Sequence, residues 1–165
     1  METIAVYWEP KIRVYGLTTE TGLTLYTLIF PVGRLSYWGG LLRSLGQKGR
    51  EFLLVNLQQA SPATMQLCLV PADGAGSADV GRLLEKGLKN EAPSSLQVIE
   101  SAELIYLHGP HFQDRYGIAE AVLRPLYNAG IPTLSAGCAG TSVYVAVSKN
   151  RAHEAVACLS ETFVL

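Results

Sequence analysis

Charge is what this sequence has least of. Only 16% of its 165 residues are Asp, Glu, Lys or Arg, and 13 basic residues against 14 acidic ones leave a formal net charge of -1. The basic residues fall singly or in pairs, so no stripe exists to neutralise a phosphate backbone, and nucleic acid is not an expected partner. Long apolar runs are missing as well. No stretch approaches the roughly 18 residues that a membrane span needs, and Met1-Glu2-Thr3 opens without a basic segment or an apolar run. Neither a signal peptide nor a transmembrane helix is expected, which points to a cytoplasmic protein with no membrane partner. The three cysteines, Cys68, Cys138 and Cys158, are odd in number and far apart, as free thiols are and disulfide frameworks are not.

Motifs for catalysis or cofactors are also lacking. Gly74-Ala75-Gly76 lacks the third glycine of a dinucleotide fingerprint, with Asp79 in its place, and no glycine loop is followed by Lys-Ser/Thr. His108 and His111 flank Gly109-Pro110 with no third ligand at suitable spacing, so they read as solvated loop histidines and no metal is expected. No His and acid accompany Cys138, which reads as a packed turn residue and not as a nucleophile. The expectation is a protein without cofactor and without catalysis of its own.

Apolar residues, in contrast, are plentiful and ordered. At 48% hydrophobic, a chain of this length buries a core without disulfides or metals. Its few charges leave apolar surface to cover, which favours a homodimer or a partner chain. One pattern occurs twice. In the C-terminal copy, residues 103–109 form a β-rich run and 110–116 a polar loop, while 117–129 carry Ile118, Val122, Leu123 and Leu126 at helical spacing up to Gly130. Pro125 inside this helix is expected to kink or loosen it. Residues 131–136 and 141–148 read as strands around the turn Gly137-Cys138-Ala139-Gly140. Asn150 is the expected N-cap of a last helix with Ala152, Ala155, Val156, Leu159 and Phe163 on its apolar face.

In the N-terminal copy, residues 23–30 alternate as a strand, 31–34 form a turn, and Leu35, Trp38, Leu41, Leu42 and Leu45 make a helical stripe ending near Gly46. Strands at 52–59 and 64–70, a helix capped by Ser77 with Val80, Leu83, Leu84 and Leu88, and a strand at 96–99 complete it. Trp8, Tyr37 and Trp38 are expected in the core or at an interface. Each copy runs strand, helix, strand, strand, helix, strand, the ferredoxin-like order, except that the C-terminal copy has almost no last strand. Residues 1–22 read as a β-hairpin, with strands at 4–8 and 12–17, that supplies the missing edge. The expected division is a lead-in over 1–22, a first unit over 23–100 and a second over 101–165. The fold class is α/β: two βαββαβ units, with antiparallel sheets and the helices on one face.

The stretch Gln113-Asp114-Arg115-Tyr116-Gly117-Ile118-Ala119, followed by Leu126-Tyr127-Asn128-Ala129-Gly130-Ile131, resembles the signature of ACT domains, a family that senses small molecules, mostly amino acids. In that family a strand leads into an Asp-x-x-Gly-Ile-Ala-like turn, and the helix ends at an Ala-Gly-Ile-like junction. The likeness covers residues 103–163. The N-terminal copy keeps the element order, though its turn Pro31-Val32-Gly33-Arg34-Leu35 has no acidic residue. With the lead-in Ile4-Ala5-Val6 to Ile12-Arg13-Val14-Tyr15-Gly16-Leu17, the two copies look like the regulatory half of an aspartokinase, without its kinase half.

Physical chemistry favours a ligand at the strand-to-helix turn on its own account. A helix N-terminus offers unsatisfied N–H groups and partial positive charge to a carboxylate, Gly117 lets a ligand approach the backbone, and Asp114 suits an ammonium group. That is how an α-amino acid would sit, with the N–H groups of Ile118 and Ala119 turned toward it. The resemblance implies effectors in such turns where two units pack side by side. This adds Gly33, Arg34 and Leu35 of the first copy and Gln58 or Gln59 on its second strand, while Cys138 stays a contact candidate. The expected function is regulatory: an amino-acid effector bound, and allosteric coupling to an enzyme partner chain or to the protein's own oligomer. Two alternatives stand beside it, a regulatory subunit or fragment of an aspartokinase, and an oligomerisation module without a ligand.

Overall fold

The computed structural model describes residues 11–72, 74–89, 94–110, 112 and 116–164. The strand expected at 4–8, Trp8, His111 and Asp114 lie outside the described residues. The chain divides into two compact units. One is Glu20–Glu103, the first unit. The other, the second unit, combines the described residues of Met1–Thr19 with those of Leu104–Leu165.

The first unit runs from β2 (Gly16–Pro31) through a short 3-10 turn (Val32–Arg34) into α1 (Leu35–Gln47). The hairpin β3 (Phe52–Ser61) and β4 (Thr64–Pro71) follows, then α2 (Gly74–Leu88) and β5 (Ser95–His108). Its strand order is β3-β4-β2-β5, with β2 antiparallel to β4 and β4 to β3. Tyr26 lies opposite Leu69 and Leu28 opposite Leu67, so alternation sends Tyr26, Leu28, Phe30, Leu67 and Leu69 to one face. Trp38 and Leu45 of α1 and Val80 and Leu84 of α2 pack onto that face. Burying each of these large side chains contributes about 1.5–3 kcal/mol. Trp38 is the largest, 1% exposed, with Phe30 and Tyr37 at ring-centroid distances of 5.8 and 5.2 Å.

The second unit takes the end of β5 as its opening strand, then α3 (Ile118–Asn128), β6 (Thr133–Ala139), β7 (Ser142–Val147), α4 (Ala152–Ser160) and β8 (Phe163–Val164). Its strands order β5-β7-β6, and β6 and β7 are antiparallel. The lead-in strand β1 (Ile12–Arg13) pairs with β8 in parallel, Ile12 opposite Phe163. The N–H of Val14 donates to the Val164 carbonyl (2.8 Å), and that of Tyr15 to the His108 carbonyl (2.6 Å). The lead-in is therefore bonded to β8 on one side and to the end of β5 on the other. Ile105, Leu107, Val143, Val145 and Val147 carry the sheet side of the core, and Ile118, Val122, Leu126, Ala155 and Leu159 the helix side.

Several boundaries differ from the sequence expectation, each for a local reason. The strands expected at 96–99 and 103–109 are one strand, β5, with Ser101 at φ 58; those expected at 12–17 and 23–30 merge into β2 beyond Gly16, with Gly22 at φ 70. A left-handed residue bends a strand and breaks its alternation without ending it. Ser77 does not cap α2, which begins at Gly74. It is buried, and the Tyr26 hydroxyl donates to its carbonyl (2.7 Å) and lies 3.1 Å from its Oγ. Asn150 sits at φ 62 ahead of Arg151, which is the N-cap of α4, and Phe163 belongs to β8 and not to the helix face. Strand β6 runs on through Gly137 and Cys138, so the reversal into β7 is Gly140-Thr141 alone. Helix α3 continues without a break across Pro125, which forfeits only the bond to the Ala121 carbonyl.

Tight packing between α1 and α2 is testable at Gly87. Alanine is the better helix former by about 1 kcal/mol, yet a Cβ there would lie 2.9 Å from Cζ3 and 3.0 Å from Cη2 of the buried Trp38 ring. Overpacking a core costs about 1–3 kcal/mol, so Gly87→Ala is expected to lower the unfolding free energy by about 1 kcal/mol in a urea titration. A gain in stability would show that the ring has room to move.

Candidate functional site

In the second unit the chain enters α3 through Gly117, which has φ 82 and ψ 8. Only glycine holds this left-handed conformation without cost, and among the described residues a Cβ placed there meets nothing nearer than the Glu120 Oε2 at 4.0 Å. The carbonyl of Gly117 accepts the first helical bond, from the Ala121 N–H (2.9 Å). The N–H groups of Ile118, Ala119 and Glu120 precede any acceptor within the helix, and among the described residues none accepts from Ile118 or Ala119. They carry the positive end of the helix dipole.

The side chains at this turn divide the work differently from the sequence expectation. Ile118 is 6% exposed and belongs to the core, so only its backbone is offered to a ligand. Ala119 is exposed and adds no bulk. Asp114, the expected ammonium partner, lies outside the described residues. Glu120, which the sequence analysis passed over, stands in the first turn of α3 and pairs with Arg124 one turn on. An acid at that position is itself a legible signal, since carboxylates favour helix N-termini.

Cys138 lies at the same end of the unit. The chain reverses at Gly130 after α3, so β6 runs back along the helix and its last residues reach the level at which α3 begins. Cys138 is opposite Val143, a buried core residue, and paired residues share a face, so Cys138 is on the helix-bearing face, where it is exposed. His108 is occupied otherwise: its Nδ1 lies 2.9 Å from Ser142 Oγ and 3.2 Å from Thr141 Oγ1, and its ring lies 5.6 Å from that of Tyr15. No cluster of three metal-ligating side chains occurs among the described residues.

The candidates of the first unit also gather at one end of their sheet. Gly33 and Arg34 form the 3-10 turn and Leu35, 41% exposed, opens α1. The Val32 N–H donates to the Ala63 carbonyl (3.0 Å), tying this turn to the start of β4. Gln59 and Phe30 both lie opposite Met65, so Gln58 and Gln59 sit one strand beyond that turn, on β3. Both glutamines are exposed. No helix of the described residues is long and apolar enough to cross a membrane.

The Gly117 conformation has a measurable consequence. Any residue with a Cβ pays about 1–2 kcal/mol for left-handed backbone, so Gly117→Ala is expected to lose about that much stability although no described residue crowds the added methyl. Gly117→Asn is expected to lose less, because Asn tolerates this region. Equal losses in thermal or urea unfolding would show that backbone strain is not the cause.

No family model matches the chain, and no curated protein sequence does. Solved structures match it at low identity. The ligand-free regulatory subunit of aspartate kinase from Thermus thermophilus superposes with a TM-score of 0.76 at 11% identity, covering 92% of this chain and 99% of that one. Aspartate kinase from Synechocystis gives 0.76 at 14% identity over 94% of this chain and 27% of its own. Aspartokinase III from E. coli, in complex with lysine and aspartate, gives 0.62 at 20% identity over 94% and 34%. Identities this low speak for the fold. The chain has the fold of an aspartate kinase regulatory subunit, two tandem βαββαβ units of ACT type, each with its helices on one face of its own antiparallel strands.

Proposed function

We propose that this protein is a regulatory, amino-acid-binding module that works in the cytoplasm by ligand-dependent allostery, without catalysis of its own. The observation that carries this reading is the likeness along the full length of a regulatory subunit, 99% of that chain. The E. coli structure of the same fold, described with lysine and aspartate bound, supports an amino acid as the class of effector. In this reading residues 23–100 and 101–165 are the two sensing repeats and 1–22 the lead-in. The effector carboxylate takes the Ile118 and Ala119 N–H groups, and its ammonium group takes Asp114, with the Glu120 carboxylate beside it. Gly33, Arg34 and Leu35 form the corresponding turn of the first repeat, with Gln58 and Gln59 one strand beyond it, and Cys138 borders the second. Binding would favour one packing of the repeats over another, by no more than the ligand's differential affinity for the two.

A second reading, that the chain is the regulatory subunit or a fragment of an aspartate kinase, is favoured by the same coverage of 99% of a regulatory subunit. Recovery of a kinase chain with the tagged protein would decide for it. Self-association is part of the proposal in either case. Strand β3 is at the sheet edge of the first unit and leaves Val55 and Leu57 at 49% and 44% exposure, which a second copy would cover. Light scattering at micromolar concentration is expected to give a dimer or larger, and a monomer would refute it.

The direct test is a thermal-shift screen of the common amino acids. A ligand at 100 times its dissociation constant stabilises the fold by about 2.7 kcal/mol. Asp114→Asn is expected to weaken the responding ligand about tenfold or more, the cost of a charged hydrogen bond. No response to any amino acid would move the ligand-free oligomerisation module ahead.

A further inference from the structure

A concavity among the described residues stands apart from both turns. It lies within the first unit, between the C-terminal end of α1 and one side of α2, with a volume of about 330 Å³ and a lining of Leu45, Lys48, Arg50, Asp79, Arg82, Leu83 and Lys86. Four cations and one carboxylate leave a local charge of +3, in a chain whose net charge is -1.

The walls are held in place by structure on both sides. At the end of α1 the N–H groups of Lys48, Gly49 and Arg50 all donate back to the last turn, that of Arg50 to the Leu45 carbonyl (3.1 Å). On α2, Asp79, Arg82, Leu83 and Lys86 follow at spacings of three, four and seven and so share one helix face. Leu45, fully buried, lies beneath them. Asp79 bonds both guanidinium groups, Arg50 from one wall and Arg82 from its own helix. The bonded Arg82 and then the charge of Arg50 hold its carboxyl below the usual carboxylate range, so it stays ionised at neutral pH. No ion pair to Lys48 or Lys86 is found among the described residues.

Cations near a helix C-terminus answer the dipole, and that accounts for Lys48 and Lys86 singly. It does not account for their convergence with two arginines on one concavity, where like charges raise each other's energy and concentrate anions. We propose that this groove is a binding site for a small, multiply charged anion of the phosphate class, held by Lys48, Arg50, Arg82 and Lys86 against the apolar floor of Leu45 and Leu83. The volume suits a small molecule, and paired guanidinium groups match phosphate oxygens. Asp79 acts as the resident competitor. It occupies both arginines until a stronger anion displaces it, and the site is distinct from the amino-acid turns.

The test is calorimetric titration of the full chain with inorganic pyrophosphate at constant ionic strength, with succinate as the carboxylate control. Pyrophosphate is expected to bind at about 1 mM or below and succinate at least tenfold more weakly. Lys48→Gln with Lys86→Gln, both surface changes, is expected to weaken pyrophosphate about tenfold or more, and Asp79→Asn to tighten it severalfold by removing the competing carboxylate. Absence of pyrophosphate binding, equal binding of succinate, or indifference to the lysine changes would each overturn the proposal. So would weaker binding in a folded Asp79→Asn protein, or binding confined to long polyanions such as nucleic acid. Should Asp79→Asn fail to fold, the lysine variant alone decides.

Discussion

Burial of one alternating apolar face in each unit is the interaction on which the rest of the structure depends. In the first unit, Tyr26, Leu28 and Phe30 on β2 and Leu67 and Leu69 on β4 are useful only if they point the same way, and the antiparallel register makes them do so. A slip of one residue would send all of them to the other face. Two helices then have to cover that face, and the close approach of α2 to the Trp38 ring, permitted by the missing side chain at Gly87, shows how tightly they do. The second unit repeats the solution with Ile105, Leu107 and the three valines of β7.

Function is left to what this packing does not use. With the apolar stripe of α3 committed to the core, the N–H groups of the first turn stand beside only Ala119 and Glu120 among its exposed side chains, and no other described residue crowds a Cβ at Gly117. The same economy operates in the first unit. Helices α1 and α2 bury Leu45, Val80 and Leu84, and their outer edges are free to carry Lys48, Arg50, Arg82 and Lys86 around a single acid. One fold thus presents two kinds of positive surface, partial charge on backbone N–H groups and full charge on side chains.

Much of this was legible in the sequence, and what was not has a common cause. The stripes of α1 and α3 stand out because Leu41 and Leu45, or Val122 and Leu126, recur at helical spacing, and the two-copy order followed from them. Left-handed residues hid the continuity of β2 and β5, since Gly22 and Ser101 interrupt alternation without interrupting the strand. Gly117 was legible as a close-approach position, but its dihedral, and the burial of Ile118 beside it, needed coordinates. Cys138 could be placed on a face only once its partner Val143 was known. The cationic groove was invisible because Arg50 and Asp79 are 29 positions apart and meet only through helix packing.

The central claim, that an amino acid is sensed at the turn into α3, is tested most directly by amide-resolved NMR of the full chain during titration with a responding amino acid. The account predicts that the largest shifts fall on the Ile118 and Ala119 amides, whose N–H groups the ligand carboxylate would take, with smaller shifts along α3. Saturable shifts elsewhere that leave these two amides unmoved would contradict it.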